Sequence, residues 1–300
     1  MNADFQNWID GNLQSQKGKS FVITGGNSGI GFHAAMALAK VGGDVTILGR
    51  SEERIGRAVQ DIKDEGIEGT IEGGIVDLGS LKSVKSCAET FREGRSGLDV
   101  LINNAGVMMP PPELTEDGFE SQFAVNFLGH FALTGRLFDL LSATDGARVV
   151  TLSSIAHRGA HVDFDNLRLE KEYQRGACYS QSKLAETIFS LELGRRVDAK
   201  GGGLLSVGCH PGFTKTELQR NMDPGVLSRL TLMDTWQGCL PSLMAATGPD
   251  VKQGDFFGPD GPGETGGFPA LGVIDGAALD LDVAKRLWDV GQDATGLTFP

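Results

Sequence analysis

Short apolar runs alternate with amphipathic stretches along most of the chain. Phe21-Val22-Ile23, Val45-Thr46-Ile47-Leu48, Val100-Leu101-Ile102 and Val149-Val150-Thr151-Leu152 have strand length and strand composition, the pattern of strands covered on both faces. Weaker strand signals lie at residues 73–76 and 204–208. Between them, apolar positions recur with helical spacing over residues 30–41, 52–65, 81–92, 118–141 and 179–197. This alternation predicts an α/β chain: a doubly wound parallel sheet of about seven strands with helices on both faces, in a single domain over residues 1–300. Ligands of such sheets bind beyond the carboxyl ends of the strands, so the residues just after each strand should carry the chemistry. Two segments break the rhythm. Residues 155–177 are rich in charge and predict an exposed excursion, and residues 254–276, with Gly258-Pro259-Asp260-Gly261-Pro262-Gly263, predict an irregular loop before a last helix near 280–291.

Composition narrows the class. The chain of 300 residues is 40% hydrophobic and 22% charged, enough for a sizeable core. Its 43 glycines are about twice the usual share and follow no collagen period, so they belong in turns and close backbone approaches. A formal charge of −12 repels phosphate backbones and anionic lipid, which argues against nucleic-acid or peripheral-membrane partners. Cys87, Cys178, Cys209 and Cys239 are far apart and form no paired motif, so reduced thiols are expected. No apolar run is long enough to span a bilayer, and Met1-Asn2-Ala3-Asp4-Phe5-Gln6 lacks the marks of a signal peptide. A cytoplasmic protein is the expectation.

Thr24-Gly25-Gly26-Asn27-Ser28-Gly29-Ile30-Gly31 follows the first strand and opens the first strongly periodic helix. In that position Gly25 permits a tight turn, Gly29 a close approach to pyrophosphate, and Gly31 close helix packing, while the helix N-terminus attracts the phosphates. The second strand ends Leu48-Gly49-Arg50-Ser51. An acid there would bind an adenosine ribose, whereas the planar cation of Arg50 suits a 2′-phosphate, so NADP(H) is favoured over NAD(H). Glu52 and Glu53 nearby pull the other way. Asp77-Leu78 after the third strand can accept from an adenine amino group, and Asn103-Asn104-Ala105-Gly106 after the fourth offers a small-residue surface to the adenosine side.

Tyr179-Ser180-Gln181-Ser182-Lys183 puts a phenol and an ammonium one helical turn apart on one face. Ser154 follows the Val149–Leu152 strand run at the same ligand edge. With these segments, Val125-Asn126-Phe127-Leu128-Gly129-His130-Phe131 and His210-Pro211-Gly212, the chain resembles the short-chain dehydrogenase/reductase superfamily from about residue 19 to 296, and within it the retinol-dehydrogenase-like branch. The resemblance implies a Rossmann fold in which Tyr179 is the general acid in carbonyl reduction and the base in alcohol oxidation. It further implies that Lys183 holds the nicotinamide ribose and lowers the tyrosine pKa, that Ser154 hydrogen-bonds the substrate oxygen, and that Asn126 anchors a water relaying protons to Lys183. Pro211 and Gly212 would wall the nicotinamide, and Thr214 joins the cofactor-binding set.

A phenol titrating near pH ~10 lies roughly 4 kcal/mol from neutrality. A cation about 4 Å away at an effective dielectric of ~20 supplies on the order of 4 kcal/mol, so one lysine is nearly sufficient on this reckoning. Two features depart from the branch. It often carries an N-terminal membrane anchor, which these first residues do not resemble, and the glycine loop has no basic residue to reinforce NADP. The 24 residues between Ser154 and Tyr179 fit the branch and exceed the spacing of minimal superfamily members.

Other chemistries find little support. Gly26-Asn27-Ser28-Gly29-Ile30 fails the nucleophile-elbow pattern, and no metal-ligand spacing occurs. His130, His157 and His210 read as packed histidines and Cys178 as a small buried hydrophobe. Residues 213–240 predict a lid, with Leu218, Met222, Leu227, Leu230, Leu232, Met233 and Trp236 turned toward a lipophilic substrate, beside Val107-Met108-Met109 and Phe213. The expected activity is NADP(H)-dependent hydride transfer to or from a carbonyl or alcohol. The alternatives are a non-catalytic NADP(H)-binding redox sensor and a C=C reductase on the same fold. Helices 118–141 and 179–197 suggest a homodimer or homotetramer.

Overall fold

A computed structural model describes residues 2–300. The elements run α1 (Ala3–Asn12), β1 (Ser20–Thr24), α2 (Gly29–Lys40), β2 (Asp44–Gly49), α3 (Glu52–Asp64), β3 (Thr70–Ile75), α4 (Leu81–Arg92) and β4 (Val100–Asn103). After a π-helical turn (Phe123–Leu128) come α5 (Gly129–Ser142), β5 (Ala147–Leu152), α6 (Arg175–Ala199) and β6 (Leu204–Cys209). The chain continues through α7 (Pro224–Leu227), α8 (Thr235–Gly238), α9 (Leu240–Thr247), β7 (Phe256–Pro259), β8 (Pro269–Leu271) and α10 (Leu281–Thr295).

The strands form one sheet in the order β3-β2-β1-β4-β5-β6-β7-β8, parallel except for the last pair. Chain direction across the sheet reverses between β1 and β4, so a crevice opens beyond their carboxyl ends. Successive strand residues face opposite helix layers. Val22 and Leu101 pack with α4, α5, α6 and α10, whereas Phe21, Ile23 and Ile102 pack with α1, α2, α3 and α9. In the first layer Phe131 meets Phe299 at 4.9 Å and Trp288 at 5.0 Å between ring centroids. Each fully buried aromatic of this kind contributes about 1.5–3 kcal/mol of transfer free energy.

The eight strands accord with the expected doubly wound sheet of about seven. Two expectations need correction. Much of the segment at 254–276 is not irregular: β7 and β8 pair antiparallel in it, Phe257 opposite Leu271. The excursion at 155–177 is anchored rather than simply exposed, with His157 and Leu167 buried and the Leu167 carbonyl accepting from Glu120 N at 2.9 Å. Finally, α1 was unforeseen, although Phe5, Trp8 and Ile9 have helical spacing and all are buried. Phe5 seats that helix against Trp236, at 5.7 Å between centroids.

Candidate active site

The chain leaves β1 at Thr24 and turns through Gly25 and Gly29, whose φ angles of 67° and 56° lie where side chains are strained. Gly31 is required by space instead, since a Cβ there would stand 2.5 Å from Asn104 Nδ2 and 2.6 Å from the Gly25 carbonyl oxygen. Thr24 Oγ1 accepts from the main-chain N–H groups of Asn104 and Ala105, both at 2.9 Å, so the loop and the end of β4 form one corner. Ser28 is the N-cap of α2 but its side chain makes no capping bond, whereas Ser51 and Ser80 cap α3 and α4. The first N–H groups of α2 are left for an outside acceptor, and the helix dipole favours an anion. The chemistry of this uncapped helix start, with Gly25, Gly29 and Gly31 beside Asn27, Ser28 and Ile30 on the cavity wall, suits an anion such as a dinucleotide pyrophosphate.

Arg50, just past β2, is exposed and makes no ion pair among the described residues. The nearby Glu53 is instead held by Arg57 at 3.0 Å. Arg54, one turn into α3, also lines the crevice and lies 3.3 Å from Glu217. Asp77 and Leu78 follow β3 on the same wall, where Asp77 Oδ1 accepts from Gly79 N at 2.9 Å.

At the other end, Tyr179 and Lys183 project from α6 beside Ser154, which follows β5. Ser153 Oγ donates to the Lys183 carbonyl at 2.8 Å, tying strand end to helix. The Lys183 ammonium is buried. It donates to the Leu152 carbonyl at 3.2 Å, lies 5.8 Å from the centre of the Tyr179 ring and stands 2.8 Å from Glu186 Oε2. Burial lifts the Tyr179 phenol above its ordinary range, while Lys183 and a hydrogen bond with Ser154 pull it down and Glu186 pushes it up. Desolvation therefore outweighs the lysine here, and the reckoning that one cation nearly suffices omitted both burial and the carboxylate. Burial also opposes the Lys183 charge, yet Glu186 and Tyr179 hold its pKa above the ordinary value.

Asn126 lies in the π-helical turn, behind the cavity wall rather than on it. Its Nδ2 donates to Ser182 Oγ at 2.8 Å and to the Val107 carbonyl at 3.0 Å, while Oδ1 accepts from Val107 N at 2.8 Å. Its main-chain carbonyl accepts from His130 Nδ1 at 2.7 Å. A Cβ on Gly106 would meet both Asn126 Oδ1, at 3.3 Å, and Lys183 Nζ, at 3.6 Å, so the glycine backbone packs close against both groups.

Pro211, Gly212 and Thr214 follow β6, with Thr214 Oγ1 donating to the Pro211 carbonyl at 2.8 Å. His210, before them, is buried, and its Nε2 lies 2.7 Å from Glu264 Oε2, which Arg158 also engages at 2.5 Å. Burial holds the His210 imidazole down at about 4, against the pull of Glu264. Beyond Thr214 the chain crosses the crevice, and Asn221 Nδ2 donates to the Met108 carbonyl on the far side at 3.2 Å. Cys178 is buried, and burial pushes its thiol up to about 11.

One cavity of about 1140 Å³ joins these parts. Gly25, Asn27, Ser28, Gly29, Ile30, Gly31, Arg50, Asp77, Leu78, Asn104, Ala105, Gly106, Pro211, Gly212 and Thr214 all line it, together with Ser154, Tyr179 and Lys183. Of the apolar residues expected around a substrate, Leu218, Met222, Leu230 and Leu232 line it with Met108, Met109 and Phe213, whereas Leu227, Met233 and Trp236 do not. Trp236 is spent on packing α1. Sequence reading missed Arg54, Val226 and Glu186. Glu186 had a signal, being three residues after Lys183 on one helix.

A family model described as short chain dehydrogenase matches residues 19–226. Retinol dehydrogenase 13 of Homo sapiens is 37% identical over 296 residues, covering 94% of this chain and 86% of that protein. Retinol dehydrogenase 14 of Mus musculus is 36% identical, covering 93% and 86%. The crystal structure of an uncharacterized protein from Mycobacterium paratuberculosis superimposes with a TM-score of 0.82 at 36% identity, over 98% of this chain and 99% of that one.

Proposed function

The chain belongs to the short-chain dehydrogenase family, in its retinol-dehydrogenase-like branch, and from that premise we propose an NADP(H)-dependent oxidoreductase that interconverts a lipophilic carbonyl compound and its alcohol. One observation carries the reading: an uncapped helix N-terminus and a buried tyrosine–lysine pair open into one cavity.

The dinucleotide, when bound, supplies or removes the hydride at the substrate carbon. In this reading the N–H groups at the start of α2 hold its pyrophosphate, and Arg50, in no ion pair among the described residues, receives the 2′-phosphate. Asp77 and Asn104 to Gly106 flank the adenosine, and Pro211, Gly212 and Thr214 flank the nicotinamide. Ser154 donates a hydrogen bond to the substrate oxygen and fixes it beside Tyr179. During reduction the phenol gives its proton to that oxygen; during oxidation the phenolate takes the hydroxyl proton. Lys183 stabilises the phenolate and holds the ribose.

The segment 213–240 acts as a lid on this reading. Leu218, Met222, Val226, Leu230 and Leu232 give the substrate end an apolar wall. NADPH consumption across aldehydes and ketones tests the substrate class: long-chain or cyclic apolar carbonyls should turn over with the higher kcat/KM. Preference for small charged keto acids would overturn it.

A further inference from the structure

Glu186 stands one turn beyond Lys183 on α6, with 1% of its side chain exposed. An ionised carboxylate in such a place is costly unless a cation answers it. Lys183 Nζ, 2.8 Å from Oε2, is that cation. His130 reaches the same carboxylate from α5, its Nδ1 at 3.8 Å from Oε1. That imidazole is committed elsewhere: Nδ1 donates to the Asn126 carbonyl at 2.7 Å, and Nε2 accepts from Thr24 Oγ1 at 2.9 Å. This pattern is the neutral tautomer, and burial holds the ring down at about 4, so His130 brings no charge. Cys209, from β6, is a buried thiol held in its neutral form. On α6 itself the other interacting group is Tyr179. Among the titratable groups around Glu186, Lys183 alone is charged positive.

Counting charges then constrains the tyrosine. With Glu186 ionised, the buried group holds one cation and one anion, and a Tyr179 phenolate would be a second anion on the same cation. With Glu186 neutral, the phenolate and the ammonium balance. We propose that Glu186 and Tyr179 compete for a single buried cation, the Lys183 ammonium, and that Glu186 is a positioning residue whose charge governs when the Tyr179 phenolate forms. The inference rests on the catalytic reading for its significance, but the competition is a property of the protein without cofactor or substrate. Burial supports it by raising the Glu186 carboxyl well above the usual range, toward neutrality. The proton that leaves Tyr179 in a titration goes to solvent: with Glu186 neutral the phenolate then pairs with the ammonium, and with Glu186 ionised the same loss leaves two anions on one cation.

The chain has two tyrosines, which makes the test direct. In a Tyr173→Phe background, ultraviolet difference titration of phenolate reports Tyr179 alone. Glu186→Gln should move phenolate formation down by about one pH unit or more, tenfold in the ionisation constant. Glu186→Asp, which keeps the charge, should stay near the parent. Circular dichroism establishes folding first, and Glu186→Asn replaces the glutamine if that variant does not fold. A midpoint in the folded amide variant that is unmoved or raised overturns the proposal. Because the titration uses neither nucleotide nor carbonyl, failure of the hydride-transfer reading would show separately, as absence of turnover in the parent.

Discussion

Asn104 Nδ2 donates to the Thr24 carbonyl at 2.7 Å, locking the end of β4 to the glycine loop at the point where the sheet order reverses. The same nitrogen occupies the space a side chain at position 31 would need. Gly31→Ala should therefore push Asn104 aside or shift the loop, at a cost of about 1–3 kcal/mol. The expected outcome is a lower Tm together with at least tenfold weaker dinucleotide binding. Wild-type binding in this variant would mean that the corner is not part of the cofactor site.

Arg50 is exposed and unpaired among the described residues, and its proposed use is to receive a 2′-phosphate. Losing a charge-assisted hydrogen bond costs about 1.5–3 kcal/mol. Arg50→Ala should weaken NADPH by roughly 10- to 100-fold and leave NADH nearly unchanged. Fluorescence titration with both nucleotides reads the difference. Equal loss for both, or none, would assign the preference elsewhere; Arg54 would be the next residue to test.

Stability should fall on acidification. His130 and His210 are held at about 4 by burial, and His33 and His157 are lowered in the same direction by the same cause. An unfolded imidazole titrates near 6.5, so between about pH 6.5 and 4 the unfolded chain binds more protons and gains relative to the folded one. For His130 alone the loss approaches about 3 kcal/mol once the full window is crossed. Glu186 acts with the opposite sign, because its raised pKa makes the folded state lose ground as pH rises. Burial raises the Glu120 carboxyl as well, with the same sign as Glu186, and two carboxyls do not offset four imidazoles. Urea midpoints should decline steadily from pH 7 to 5, and a flat profile would contradict the neutral, buried state of these histidines.

The residues now lining the cavity were readable where chemistry sits in short contiguous segments after strands, as with Gly25 to Gly31 and Asn104 to Gly106. Tyr179 and Lys183 were readable through helical spacing, and Ser154 through its strand. The remainder depends on contacts between distant segments. β8 is three residues long and starts with a proline, too short to show alternation. Trp236 resembled a lid residue in composition, but α1 claims it. Glu186 has a visible helical neighbour in Lys183, yet its burial comes from α5 and β6 closing over it, and without that burial it would read as a surface ion pair.

Tyr179 carries the central claim, and steady-state NADPH consumption with apolar aldehydes, measured on the parent and on Tyr179→Phe, tests it most directly. The cavity wall keeps its shape in the variant while the transferable proton is lost, so nucleotide affinity should persist. Turnover should fall by about 10²–10⁴-fold or more. A variant that reduces the same aldehydes at the parent's rate would contradict Tyr179 as the proton donor.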